Sequence, residues 1–387
     1  MANIHDITRD QWMLRGPLAK KGYDWWWHSL TAENAETGEL KPFYVEFFTC
    51  NPAWAQPEPV IVWNDPAKQQ AGVLPSYLMV NVGFWGAPEK GQLHRFFSLK
   101  NTEVHADAPY SIKAADCYCS ETHTEGSVKV TPEEAAAHPE WMTDAGEMSW
   151  NLDIKKEIAF HVGYGASKFF RAINAFEMFW HAEGMKTSYS GEIILNGVKY
   201  IVKPETCNGY ADKNWGGDFT SPWVWLSSNK LTSQISGKKL MNSVFNIGGG
   251  RPKIYFFALD RKLLGEFFYE GKDYEFNFSK FWTLSRTKFD CWETDDEIHW
   301  HVVQTTKDSK LDTNIRCAKA DMLNIRYEAP TGYKKHNRLW NGGNGTGTLK
   351  LYKRSLFGGK EELIDEVYAE GIGCEFGEYC DPEMTVY

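Results

Sequence analysis

The sequence predicts an all-β fold, an antiparallel sandwich or barrel architecture with a few short helices. Three observations point there. Runs of strand length and strand composition recur at fairly even spacing, with turn residues between them. Two such runs, Glu192–Leu195 and Val198–Val202, are joined by Asn196-Gly197, the pair that accepts the positive φ angles of a type I′ hairpin turn. The 387 residues include 17 Trp, 18 Tyr and 23 Phe, and large flat side chains suit β-rich cores and pockets for flat or greasy ligands.

Taken in order, Tyr23-Asp-Trp-Trp-Trp-His28 is an aromatic run whose alternate rings serve core and pocket. Phe43–Thr49 is a strand ended by Asn51-Pro52, and Ser76–Trp85 is another. Thr131–His138 predicts a short helix with Pro132 in its first turn. A second helix is predicted over Ser167–His181, because Phe169, Ile173, Phe176 and Trp180 fall at helical spacing, Ser167 can cap the start and Gly184 follows the end. The charged, Gly-bearing stretch between the helices reads as loop. After the hairpin come strands over Lys253–Ala258, Leu264–Tyr269, Tyr274–Phe278, Glu297–Gln304, Met322–Tyr327, Gly347–Tyr352 and Leu363–Tyr368. The length allows two domains, divided near 205–220: residues 1–210 with the two short helices, and residues 211–387, with a ligand site between them.

Charge and motif content exclude several function classes. The formal net charge is −9 and no long basic run exists, which argues against nucleic acid as a partner. No apolar stretch approaches the ~20 residues of a membrane span, and the start lacks an apolar signal core; the expected location is the cytoplasm. The eight cysteines are then expected as free thiols. There is no nucleophile elbow, P-loop or dinucleotide fingerprint, and Gly248-Gly-Gly250 precedes a strand rather than opening a helix.

The densest chemistry lies in Asn208–Asp218 and Ser221–Trp225. On an extended segment Tyr210 and Asp212 share one face, and Asn214 joins them if the strand continues. Apolar neighbours such as Trp215 would desolvate Asp212 and raise its pKa, as a general acid at neutral pH requires. The alternative is a turn capped by Asp212. On the predicted helix, Glu177 and His181 are i,i+4 neighbours, so the carboxylate could fix the imidazole's tautomer, or the two could form a plain surface pair. His299-Trp-His301 places two imidazoles on one strand face with no third ligand marked by spacing, and no metal is expected there.

Tyr210-Ala-Asp-Lys-Asn-Trp-Gly216 followed by Trp223-Val-Trp225 resembles the signature of the tocopherol cyclase family. Phe176–His181 and the hairpin after it stand where that family carries a short segment before its central hairpin. The group is similar to carotenoid hydratases and to Diels–Alder cyclases with paired lipocalin-like β domains. The resemblance implies cofactor-free, protonation-driven cyclisation or isomerisation at a C=C bond of an apolar phenolic, prenylated or terpenoid molecule. Asp212 would be the proton donor, Tyr210 its neighbour and His181 a relay. Trp180, Asn214, Trp215 and Trp225 would bind substrate, the indoles shielding a cation. Asp212 stands where the plant-type motif tends to have Glu, and that shorter arm points away from a tocopherol precursor. A hydrophobic carrier, or a hydratase or hydrolase on the same fold, are the alternatives.

Overall fold

The Asn196-Gly197 turn forms as expected, with φ of 48° and 82°, and joins Met178–Leu195 to Val198–Val202 in antiparallel register. Around it the chain builds an all-β fold of two barrel-like antiparallel sheets. The computed structural model describes residues 6–160, 173, 176–219, 223–250, 253–254, 257–258, 262–278, 280–333, 335–355 and 361–380. Among them are three short α-helices, Pro17–Lys20, Pro66–Gln70 and Pro132–Ala137. The third is the expected one; Thr131 and Glu134 close a capping box at its start, satisfying backbone donors the first turn leaves free.

The first sheet has 12 strands and the second 11. Tyr23–Asn34 shows how the first works. Trp26, Leu30 and Ala32 point into that sheet's own core. Tyr23 and Trp27, on the opposite face, join a second core that also takes Trp225, Leu264, Phe268 and Tyr327 from the other sheet. A third core lies within the second sheet. The strand's period of two thus sorts one aromatic run between a barrel interior and the seam between sheets.

Three expectations are corrected. Met178–His181 belong to an 18-residue strand, Met178–Leu195, not to a helix over 167–181; Ile173 lies in a turn and Ser167 and Phe169 fall outside the described residues. The first eight residues of that strand are all buried, so it has no alternating pattern to advertise it. The stretch read as loop contains the 15-residue strand Gly146–Phe160, which buries Met148, Trp150, Leu152 and Ile154 and exposes residues between them. The run read as one strand over Lys253–Ala258 contains two short ones, Lys253–Ile254 and Phe257–Ala258. Gly209–Gly216 is inserted between Tyr23–Asn34 and Met178–Leu195. The first sheet therefore runs to Gly216, and the second begins at Trp223. No described helix is long and apolar enough to cross a membrane.

Candidate active site

Gly209–Gly216 is buried on both faces, and its alternation divides the motif in two. Tyr210, Asp212 and Asn214 face a cleft between the sheets. Lys213 faces the opposite way, where its ammonium pairs with the buried Asp24 carboxylate and lies 3.8 Å over the Trp26 ring. Trp25, Trp27, Met178 and Phe219 line the cleft from one side, and Trp223, Trp225, Ile325, Tyr327 and Leu339 from the other. Three carboxyl groups enter it: Asp212, Glu46 and Glu375. No lysine, arginine or histidine is among the described residues that line it.

Asp212 is held by directional donors. Its Oδ2 accepts from Trp180 Nε1 at 2.9 Å and from the Tyr210 hydroxyl at 2.9 Å. Its Oδ1 meets the Trp25 indole N–H at a long 3.4 Å. Two short bonds give Oδ2 carbonyl character, so a proton on this acid sits on Oδ1. Burial raises the Asp212 pKa to about 6, and the donors from Trp180, Tyr210 and Trp25 hold it from rising further. Glu375, on the strand Glu362–Cys380, accepts from Trp223 Nε1 at 2.9 Å and from the Asn341 amide. Burial lifts it to about 7, against the Asn341 bond and with help from the Asp212 charge. Glu46, on Leu40–Cys50, accepts one bond, from Asn81 Nδ2 at 2.8 Å, and burial lifts it to about 8.

The expected site residues separate accordingly. Tyr210, Asp212, Asn214 and Trp225 line the cleft, and Trp180 touches the acid directly. Asn214 is tied to the first strand: its Oδ1 accepts from the Tyr23 hydroxyl at 2.7 Å. Trp215 lies on the Lys213 side of the strand and stacks on Phe179 at 5.5 Å. His181 is opposite Lys213 in register and shares its face, where Nδ1 lies 2.9 Å from Asp10 Oδ1. A relay from His181 to Asp212 would have to cross the sheet. The expected Glu177–His181 helix pair gives way to this contact: the strand begins at Met178, and in extended chain residues four apart stand roughly 13 Å apart, too far to meet as they would across one helical turn.

That inner face carries a buried charge cluster. Asp10, Glu121 and Glu183 approach closely enough to hold a cation. The cation they surround is the Lys156 ammonium, 3.0 Å from Glu121, 3.0 Å from Glu183 and 3.7 Å from Asp10. His299 and His301 sit half-buried on the second sheet, beside Glu297 at 3.1 Å and Asp312 at 3.0 Å.

Sequence reasoning missed Glu46 and Glu375. Both come from strands far from the motif, and only sheet register brings them to it.

The sequence matches the family described as tocopherol cyclase-like over residues 58–378. No curated protein matches it. Among solved structures it is similar to a candidate AttH from Nitrosomonas europaea, at 11% identity and TM-score 0.43, covering 95% of this chain and 99% of that one. It is also similar to kievitone hydratase from Nectria haematococca, at 10% identity and TM-score 0.42, covering 98% of each chain.

Proposed function

The chain belongs to the tocopherol cyclase-like family, and from that premise we propose that it is an acid catalyst for alkenes. Its substrate is an apolar phenolic, prenylated or terpenoid small molecule, and its reaction cyclisation or isomerisation through a protonated C=C bond. Family membership supports a catalytic role. The observation that carries the chemistry is the Asp212 carboxyl, facing an aromatic cleft with Oδ2 fixed by Trp180 and Tyr210 and Oδ1 left to present the proton.

Protonating an alkene develops positive charge on carbon. The indoles of Trp25, Trp27 and Trp225 line the cleft, and an aromatic ring stabilises such charge by ~1–2 kcal/mol when water is excluded. The carboxylate left on Asp212 stabilises it further in the same low-dielectric space. With a pKa near 6, about a tenth of Asp212 carries its proton at pH 7. Turnover that depends on this acid falls about tenfold per pH unit well above 6.

Asp212→Asn is expected to lower kcat at least ~100-fold while ligand affinity stays within about threefold. The assay incubates 2-prenylphenol in heavy water and follows deuterium entering the product by mass. Wild-type turnover in the variant would remove Asp212 from the acid role. Tight binding of an unchanged ligand by the wild type would identify a carrier instead.

A further inference from the structure

We infer that Glu375 is a second catalytic carboxylate, the base that takes the proton released as the cation formed by Asp212 is captured. The inference rests on the acid reading of Asp212 given above. A cyclisation or hydration started by a proton must end by losing one, from a phenol O–H or from water, and a group within the cleft has to receive it. Among the described lining residues only the carboxyl groups can. Asp212 has just become a weak base facing the alkene carbon. Glu46 has a single donor, Asn81, and in a buried site so few donors favour the neutral acid. Glu375 has donors on both oxygens, Asn341 on Oε1 and Trp223 on Oε2. Both donors are uncharged, so they orient the anion and leave its charge uncompensated.

The placement is also suited to the task. Glu375 comes from the second sheet and Asp212 from the first, so they approach the cleft from opposite walls. Their holders touch: Trp180, which donates to Asp212, meets Trp223, which donates to Glu375, edge to face at 6.2 Å. In the step that follows, Oδ1–H of Asp212 breaks and a C–H bond forms at one alkene carbon. The oxygen nucleophile then bonds to the cationic carbon while its proton passes to a Glu375 oxygen. Cyclisation leaves the substrate's mass unchanged and hydration adds one water. Asp212 ends as the anion and Glu375 as the acid, and exchange with solvent resets both. The tocopherol cyclase-like motif of the first sheet supplies half of this machinery.

The test measures kcat/KM against pH for the wild type, Glu375→Gln, Glu375→Asp and Asp212→Asn, with 2-prenylphenol and 2-geranylphenol as probes. The wild type should show a bell with its maximum between about pH 6 and 7, its limbs belonging to the carboxyl set as a whole. Glu375→Gln should lose at least ~30-fold at the maximum and lose the acidic limb, keeping the fall above about pH 6, with probe affinity within about threefold. Glu375→Asp should recover part of the rate and the acidic limb. Asp212→Asn inactive with Glu375→Gln fully active and still bell-shaped overturns the base and leaves the acid standing. Loss of the alkaline limb in Glu375→Gln also overturns it. An active Asp212→Asn overturns the acid and the base with it, and a wild type inert to both probes rejects this substrate class and both roles.

Discussion

At the scale of single residues, the three cleft carboxyls are ranked by how many donors each accepts. Asp212 has three, Glu375 two and Glu46 one, and their pKa values climb in that order, about 6, 7 and 8. Burial pushes all three up, and each hydrogen bond to the anion pulls back. For Glu46 the consequence reaches stability. Its folded pKa lies above its ordinary value of 4.5, so the folded state binds the proton more tightly than the unfolded chain. The contribution is fully present below about pH 4.5 and is lost as pH rises through about 8. Glu46→Gln keeps an acceptor for Asn81 and cannot ionise. It should match the wild type in Tm near pH 4.5 and exceed it by a few degrees at pH 8, reflecting a penalty of a few kcal/mol. Thermal melts at the two pH values check this; an equal shift at both would indicate a packing effect.

At the scale of the strand, Gly209–Gly216 turns Tyr210, Asp212 and Asn214 to the cleft and Lys213 to the opposite face. Lys213 and Asp24 are fully buried partners, so Lys213→Ala leaves a carboxylate without its cation and should destabilise by ~3–5 kcal/mol. Denaturant titration measures this, and the double variant Asp24→Asn/Lys213→Met should recover much of the loss. The same alternation explains what the sequence revealed. Tyr210 and Asp212 could be placed on one face because they are two apart in a strand bounded by glycines. His181 and Trp215 lie close to the motif in sequence, and the pleat turns them to the face opposite Asp212. The helical spacing of Phe176 and Trp180 was misleading because a strand buried on both faces carries aromatics at every spacing. The alternation of Met148, Trp150, Leu152 and Ile154 was present in the sequence, obscured by the charges between them. Glu46 and Glu375 had no local signal: each is an acid in a strand, and only the pairing of Trp27 with Glu46 and of Trp225 with Glu375 brings them to the cleft.

At the scale of the molecule, the core between the sheets takes side chains from both, and the cleft opens within that seam. Across this seam the Trp180 indole of the first sheet meets Gly248 of the second. A Cβ at 248 would lie 3.0 Å from the ring, tighter than ordinary packing, so the indole would have to shift by a few tenths of an ångström. Gly248→Ala should therefore strain the Trp180 bond to Asp212. Weakening a donor to the anion lets the Asp212 pKa rise, and the alkaline limb of the rate profile should move to higher pH while kcat falls several-fold. An unmoved limb would show that the ring absorbs the methyl without disturbing the acid. The bare backbone at 248 thus works as a tuning screw. One hydrogen atom there, in place of a methyl, leaves room for an indole on the neighbouring barrel to grip Asp212, the donor of the proposed reaction, so the acidity of that group could be retuned from a spot that lines no part of the cleft.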